Sequence, residues 1–340
     1  MQKVNWGIIG LGSIAKEFAD GFSNLKNAKL LGVASRDRNK IEDFKKKFQL
    51  QNKYCFEDYE NLIEKKEIDI IYLALPTFLH KKWIINCLKK NKNILVEKPA
   101  VMNFDEILEI EKYKNSQKYF FEAFMYLFHP QIKKFFDLVE QDEIGELISM
   151  ESFFGNNILT KKNFFGFYKK KKIDPKKRIF NKKMGGGSIL DLGCYPVSFS
   201  TRIASLKKDI NINNVEYSEK KIIIGSTGVD VDAHINLNYD NNFKSKIGAS
   251  FSHDLGKKTE IIGSKGRIMI MDTWTAETSK IILQKQGKET VFNINSYENI
   301  YSHEIETISD LIINGNTYKN SLTQLDQSKI NTQILDAWKH

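Results

Sequence analysis

The sequence predicts an α/β protein in two parts: a doubly wound, parallel-sheet half over residues 1–124 and a half built on one largely antiparallel sheet over 125–340. Three observations predict it. A glycine-rich turn, Gly10-Leu11-Gly12-Ser13-Ile14-Ala15, joins an apolar strand to a helix-like stretch. Strand-like and helix-like segments then alternate as far as Phe124. Beyond that residue the pattern changes to short β-rich segments joined by hairpin-like turns. Alternation of this kind places a parallel sheet between helices, whereas consecutive strands build antiparallel layers.

Residues 4–9 (VNWGII) read as the first strand, with a helix from Ser13 to about Leu25. Residues 29–35 (KLLGVAS) read as the second strand, residues 41–48 as a helix and 53–56 as a short extended piece. Asp58 is placed to cap a helix running through Lys65, because its carboxylate can accept from the first free N–H groups. Residues 69–75 are almost continuously apolar, as expected of a strand buried on both faces, and Pro76 ends them. An amphipathic helix follows at 78–90, then a strand at 93–96, a helix at 105–114 and a strand at 119–124. In the second half, 130–141 reads as a helix. Strands are expected at 146–154, 213–224, 229–238, 243–251, 259–262, 267–271, 280–284 and 289–292, with turns at 240–242 and 263–266. A helix lies within 184–206, and 300–314 and 322–338 close the chain as helices.

The chemistry begins at the glycine turn. Gly10 permits the tight turn, Gly12 lets the backbone approach a pyrophosphate, and Ala15 lets helix and strand pack closely. A helix N-terminus presents unpaired N–H groups and a positive dipole end to phosphates. The first half therefore reads as a dinucleotide-binding Rossmann domain. The second strand ends Ala34-Ser35-Arg36-Asp37. An NAD site usually has an acidic residue there for the ribose 2′-hydroxyl. Here Ser35 can donate to a 2′-phosphate and Arg36 can grip it, so NADP is favoured. The other reading leaves Arg36 facing solvent and gives the NAD-type role to Asp37.

Two further constellations carry candidate chemistry. Glu97-Lys98-Pro99 closes a parallel strand, and ligands of open α/β sheets bind outside the carboxyl ends of strands. A lysine there can reach a nicotinamide and a substrate hydroxyl, or it can be a surface lysine before a proline turn. Gly185-Gly186-Gly187-Ser188-Ile189-Leu190-Asp191-Leu192-Gly193-Cys194-Tyr195-Pro196 combines a close-approach turn with Asp191 and Tyr195, which share one face if a helix follows. A capped helix with a core tyrosine is the plainer reading. Cys194 reads as packing.

Composition narrows the rest. The 340 residues are 41% hydrophobic, enough for two cores, and no apolar run approaches the roughly 20 residues of a membrane-spanning helix. The three cysteines (Cys55, Cys87, Cys194) are widely spaced and the six histidines form no ligand cluster, so no disulfide and no metal site is expected, and the cytoplasm is the expected compartment. The net charge of +10 is concentrated between Lys161 and Lys183, where eleven Lys/Arg face the single acid Asp174. The remainder of the chain is neutral, which argues against nucleic acid as the partner even though Phe164, Phe165, Phe167 and Tyr168 interleave with the lysines.

The motifs GIIGLGSIA, ASR, LALPTFLH, EKPA, EAFMYLFHP and GGGSILDLGCYP, in that order along the whole chain, resemble the glucose–fructose oxidoreductase/inositol dehydrogenase/MocA family. They are most similar to its branch of dimeric dihydrodiol dehydrogenases and NADP-dependent D-xylose dehydrogenases. The resemblance implies an N-terminal Rossmann domain, a C-terminal α/β domain with an open, mostly antiparallel sheet that forms a homodimer or homotetramer, and an active site between them. It implies cofactor contacts from Gly10, Gly12, Ser13, Ile14, Ser35, Arg36, Leu75, Pro76, His80, Glu97 and Lys98, with NADP favoured and NAD possible. His80 can equally be an exposed residue at a helix start. Lys98 matches the lysine of the E-K-P motif, and Asp191 and Tyr195 match the first and last positions of D-x-G-x-[HY]. Arg178 opens an R-x-F-[ND] segment, and with Tyr126 and His129 it is an implied substrate contact.

The implied reaction is reversible hydride transfer between a nicotinamide cofactor and a sugar, cyclic polyol or diol. Tyr195 exchanges the carbinol proton, Lys98 as an ammonium favours tyrosinate and polarises the carbonyl, and Asp191 orients substrate hydroxyls. The basic segment allows a second substrate class, an anionic or nucleotide-linked sugar. A third reading, from another class, is a non-catalytic NAD(P)-sensing regulator.

Overall fold

The computed structural model describes residues 2–114, 117–162, 167–206, 214–239, 242–297, 299–315 and 325–340. Its elements begin β1 (Val4–Ile9), α1 (Ser13–Asp20), β2 (Ala28–Ala34), α2 (Arg38–Phe48), β3 (Cys55–Phe56), α3 (Tyr59–Ile63), β4 (Ile70–Leu73), α4 (His80–Lys89), β5 (Asn93–Glu97), α5 (Phe104–Glu111) and β6 (Phe120–Ala123). They continue with α6 (Pro130–Glu140), β7 (Leu147–Gly155), β8 (Thr160–Lys162), β9 (Tyr168–Lys170) and α7 (Cys194–Ala204). Seven strands follow: β10 (Val215–Ile224), β11 (Asp230–Tyr239), β12 (Lys244–Ser250), β13 (Thr259–Gly263), β14 (Gly266–Ile270), β15 (Lys280–Lys285) and β16 (Lys288–Asn293). Helices α8 (Ile300–Asn314) and α9 (Leu325–Lys339) end the chain.

Two compact units result. One comprises Met1–His129 and Tyr297–Lys329, the other Pro130–Ser296 and Ile330–His340. The first holds a six-stranded parallel sheet in the order β3-β2-β1-β4-β5-β6, the doubly wound order of dinucleotide-binding domains. The continuous apolar run in β4 has a direct cause. Ile70, Tyr72 and Ala74 enter the core on one face of the sheet, and Ile71, Leu73 and Leu75 enter the core on the other. Each fully buried large apolar side chain of this kind contributes about 1.5–3 kcal/mol. Asp58 caps α3 as expected, its carboxylate accepting from the Glu60 N–H at 3.0 Å. Helix α1 is shorter than expected: it ends at Asp20, and the Gly21 N–H donates to the Phe18 carbonyl at 2.9 Å in a tighter turn.

The units differ from the expected division 1–124 and 125–340 at the start of the second segment and within it, at Tyr297–Lys329. Residues 125–129 stay with the first unit, and α8 returns to it. Tyr301, Ile305, Ile308 and Leu311, one stripe of α8, join the core that holds Trp6 and Phe18. The Trp6 indole N–H donates to Ser309 Oγ at 3.0 Å, and Ser302 Oγ donates to the Gly21 carbonyl at 2.8 Å.

The second unit is built on an eight-stranded sheet in the order β10-β11-β12-β7-β13-β14-β15-β16. All its neighbouring pairs are antiparallel except β12 with β7. Fully buried α7 residues such as Phe199 and Val197 supply core, and Phe199 meets Trp274 edge to face. Apolar side chains remain exposed on its strands, among them Ile148, Ile223, Ile224, Ile262 and Val291. The lysine-rich segment overlaps the two-stranded β8–β9 ribbon. Phe164 and Phe165, most of the 240–242 turn, residue 213 and the start expected for the last helix lie outside the described residues.

Candidate active site

The glycine turn is built as its composition requires. Gly10 has φ +90°, and a Cβ there would lie 2.5 Å from the Ala74 carbonyl oxygen, so the close approach of the turn to the end of β4 depends on its missing side chain. The Gly12 backbone is extended, and no heavy atom lies within 4 Å of where its Cβ would be. It precedes α1 without any side-chain cap, so no capping side chain occupies the first-turn N–H groups. Ala15 is fully buried, Ser13 is exposed, and half-buried Ile14 packs on the core. A cavity of about 350 Å³ adjoins this turn, lined by Leu11, Gly12, Ser13, Lys16, Lys40, Asp43, Phe44, Lys47 and Phe48. Open backbone, a helix N-terminus and three lysines form a donor set that fits the phosphates of a dinucleotide.

These two glycines do different work, and substitution separates them. Gly10→Ala forces a positive φ and a clash with backbone, and is expected to destabilise the fold by about 2 kcal/mol or more. Gly12→Ala is expected to leave the melting temperature within a few degrees while weakening dinucleotide binding at least tenfold. Thermal melts and a cofactor titration on both variants check the pair.

At the end of β2, Ser35 is buried and its Oγ accepts from the Asp37 N–H at 3.1 Å. Arg36 is exposed, with its guanidinium 5.6 Å above the Tyr59 ring. Asp37 caps α2, its Oδ1 accepting from the N–H groups of Asn39 and Lys40 at 3.0 and 3.3 Å. The carboxylate weighed for a ribose hydroxyl is thus engaged at a helix start.

At the carboxyl ends of β4 and β5 the structure gathers Leu75, Pro76, His80, Glu97 and Lys98. Pro76 opens a short turn over Thr77–Leu79 that delivers His80 to the start of α4. His80 is at a helix start but fully buried, which corrects the exposed alternative. Its Nε2 lies 2.7 Å from the Leu75 carbonyl oxygen, and its Nδ1 lies 3.1 and 3.2 Å from those of Pro99 and Ala100. The ring ties the end of β4 to the bend that carries Lys98. Glu97 accepts from the Tyr72 hydroxyl. Burial and Glu97 push the Tyr72 phenol well above its usual pKa. Tyr126 and His129 are both buried in the first unit, His129 edge to face against His303 at 5.2 Å.

The second unit holds Arg178, Asp191 and Tyr195. The glycine run is shaped around its own chain. The N–H groups of Gly186 and Gly187 donate to the carbonyls of Asn181 and Ile179 at 2.9 and 3.0 Å, and a Cβ on Gly186 would meet the Arg178 carbonyl oxygen at 2.6 Å. Arg178 is thereby brought to Asp191, Nη2 donating to Oδ1 at 2.5 Å. Ile189–Gly193 is π-helical and passes into α7 at Cys194. Such a turn is wider than an α-helical one, so positions four apart remain close around the axis, and π-helical turns frequently mark functional sites. Tyr195 is buried, its ring edge to face with Phe154 at 5.2 Å and tilted against Trp274 at 5.8 Å. Cys194 is fully buried, as a packing residue should be.

Three residues escaped the sequence reading. Lys40 lines the cavity beside Gly12, but one lysine among so many carried no signal. Glu122 in β6 is buried, and its carboxylate accepts from the Ala100 N–H at 2.8 Å and the Ser328 hydroxyl at 2.6 Å. A lone acid in the apolar strand FFEA was its signal. Glu304 on α8 is fully buried, and neither of its carboxyl oxygens has a hydrogen-bond partner among the described residues. Burial, with the charge of Glu97 adding to it, pushes the Glu304 carboxyl well above the usual range. Among the described residues no cluster of His, Cys, Asp or Glu is placed to hold a metal ion, and no helix is long and apolar enough to cross a membrane.

Comparison with known proteins bears on this geometry. Residues 4–123 match the profile of an oxidoreductase family with an NAD-binding Rossmann fold, and residues 132–269 match the GFO/IDH/MocA C-terminal domain. The chain belongs to the GFO/IDH/MocA oxidoreductase family. It is 29% identical over 292 residues to trans-1,2-dihydrobenzene-1,2-diol dehydrogenase of Xenopus laevis, covering 85% of this chain and 81% of that one. It is 25% identical over 291 residues to dTDP-3,4-didehydro-2,6-dideoxy-alpha-D-glucose 3-reductase of Saccharopolyspora spinosa, covering 84% and 81%. The fold is that of KijD10, a 3-ketoreductase from Actinomadura kijaniata solved with NADP and TDP-benzene (TM-score 0.79, 21% identity, 99% and 97% covered). It is also that of an aldose–aldose oxidoreductase from Caulobacter crescentus (TM-score 0.84, 17% identity, 99% and 96% covered). As a member of this family the chain is an NAD(P)-dependent oxidoreductase acting on CH–OH groups.

Proposed function

We propose that this family member prefers NADP and moves a hydride reversibly between the cofactor and a carbinol carbon of a sugar, cyclic polyol or diol. The observation that carries the cofactor reading is the end of β2, where Arg36 is exposed while the Asp37 carboxylate is engaged in capping α2, and Lys40 of that helix lines the cavity beside Gly12. Gly10, Gly12, Ser13 and Ile14 would hold the pyrophosphate, Ser35, Arg36 and Lys40 the 2′-phosphate, and Leu75, Pro76 and the bend after Glu97 the nicotinamide end, with buried His80 acting through that bend. When bound, the nicotinamide supplies or accepts the hydride.

The protein's part is to orient the substrate and to move a proton. Oxidation needs a base for the carbinol proton, and reduction needs an acid for the new alkoxide. Tyr195 is the proposed proton-exchanging group, and Lys98 the cation that favours negative charge on the reacting oxygen. Asp191 would orient substrate hydroxyls. Its bond to Arg178 uses part of the carboxylate, which has about four acceptor sites, so it can still accept from a sugar. Tyr126, His129 and Arg178 are the proposed substrate contacts. The exposed apolar side chains of the eight-stranded sheet support a homodimer or homotetramer through that face, and the odd number and wide spacing of the three cysteines support a cytoplasmic setting.

A second substrate class is favoured by one observation. Lys169, Lys170, Lys171, Lys172, Lys176 and Lys177 are all exposed, and such a patch attracts an anionic or nucleotide-linked sugar. A fluorescence titration with NADPH and NADH, followed by a screen of dihydrodiols, neutral sugars and nucleotide-linked sugars, tests the whole reading. Tight NADPH binding with turnover on any of the three supports it and names the class. Binding with no turnover across the panel moves the protein to the class of cofactor sensors. Arg36→Ala is expected to weaken NADPH binding about 10–100-fold, the worth of one charge-assisted contact, and NADH binding much less. Equal losses for the two cofactors would remove Arg36 from the 2′-phosphate.

A further inference from the structure

The bend at residues 98–100 is gripped from several sides. Tyr72 donates to Glu97 just before it, and His80 sits on the carbonyls of Pro99 and Ala100. Glu122 stands opposite Val96 in the β5–β6 register and reaches the Ala100 N–H from the neighbouring strand. The other carboxylate oxygen accepts from Ser328, itself buried near the start of α9. A carboxylate that accepts from two buried donors is held in one geometry and cannot move to solvent.

We infer that Glu122 is a positioning residue for Lys98, its carboxylate fixing the bend that carries the lysine by accepting from the Ala100 N–H and the Ser328 hydroxyl. The inference rests on the role proposed for Lys98 and adds a group that sets the conditions under which Lys98 is held in place. The charged groups facing Glu122 are few. Glu97 at the end of β5 opposes its ionisation and Lys98 favours it, while α9 presents the Ser328 hydroxyl. Burial is the leading influence and lifts the Glu122 carboxyl to about 7. Near neutrality, therefore, Glu122 passes between a carboxylate that satisfies both donors and an acid that satisfies them less well. The bend and the field at Lys98 change together across that step.

The test follows Lys98 directly and needs no substrate. The full-length protein is labelled with ¹³Cε-lysine, the Lys98 signal is assigned by its loss in Lys98→Arg, and its shift is followed from pH 5.5 to 8.5. In the unsubstituted protein the signal is expected to move with a midpoint near 7. Glu122→Gln is expected to abolish that inflection. Ser328→Ala removes a bond that favours the ionised form and is expected to raise the midpoint. It carries the test alone if Glu122→Gln does not fold. An unchanged inflection in Glu122→Gln, or an unmoved midpoint in Ser328→Ala, overturns the inference. A failure of the catalytic reading shows elsewhere, as normal turnover without the Lys98 side chain.

Discussion

Tyr195→Phe and Lys98→Ala each lower kcat by about a hundredfold to ten-thousandfold, the range for removal of a positioned acid–base or an electrostatic donor, while the cofactor still binds. The structure makes both substitutions clean. The Tyr195 ring packs edge to face on Phe154 and tilted against Trp274, and phenylalanine preserves that packing while removing only the hydroxyl. The path of the chain at Lys98 is set by Tyr72, His80 and Glu122, none of which needs the lysine side chain for the bonds described. Each variant should therefore retain its unfolding midpoint. Single-turnover measurements with saturating NADPH would separate lost chemistry from lost binding. Turnover within threefold of the unsubstituted protein in Tyr195→Phe would assign proton exchange to another group. The same result in Lys98→Ala would leave the bend as a structural feature of the sheet and no more.

Much of this was legible in the residues because the signals were local. The glycine turn, the two-faced apolar run of β4 and the hairpin pattern of the later strands each follow from the chemistry of a few neighbouring positions. What was not legible depends on residues distant in sequence. Nothing near Tyr301 shows that α8 packs around Trp6 and Phe18, because an amphipathic stripe states what it needs to bury but not against what. His80 reads equally as a cofactor neighbour or as an exposed helix start, until the carbonyls of Leu75, Pro99 and Ala100 are found around it. Asp191 reads as an open carboxylate until the glycine run folds Arg178 onto it. Glu122 and Glu304 carry the same lesson for charge. A single acid in an apolar strand or helix face looks like an error of pattern, and its meaning comes from the donors, or the lack of them, that tertiary structure supplies.

Glu122 also sets a stability experiment whose sign runs against ordinary acid denaturation. Its carboxyl titrates near 7 when folded and near the usual 4.5 when unfolded, so between those values the folded chain binds more protons than the unfolded one. Stability from this group is fully present below 4.5 and is lost as the pH rises through 7. The full difference is about 3 kcal/mol at 1.36 kcal/mol per pKa unit, of which about 2–3 kcal/mol falls between pH 5 and pH 8. His303, drawn down to about 4 by burial, has the opposite sign, with stability lost as the pH falls from 6.5 toward 4. Glu304, also raised by burial, shares the sign of Glu122, so the informative quantity is the difference between the unsubstituted protein and Glu122→Gln, in which His303 and Glu304 cancel. Glutamine cannot satisfy both donors as the carboxylate does, so the variant begins less stable at pH 5. It is expected to gain about 2–3 kcal/mol on the unsubstituted protein by pH 8, as urea unfolding at each pH would measure. A constant difference across that range would mean that Glu122 keeps an ordinary carboxyl in the fold, and its place beside the Lys98 bend would then be one of shape alone.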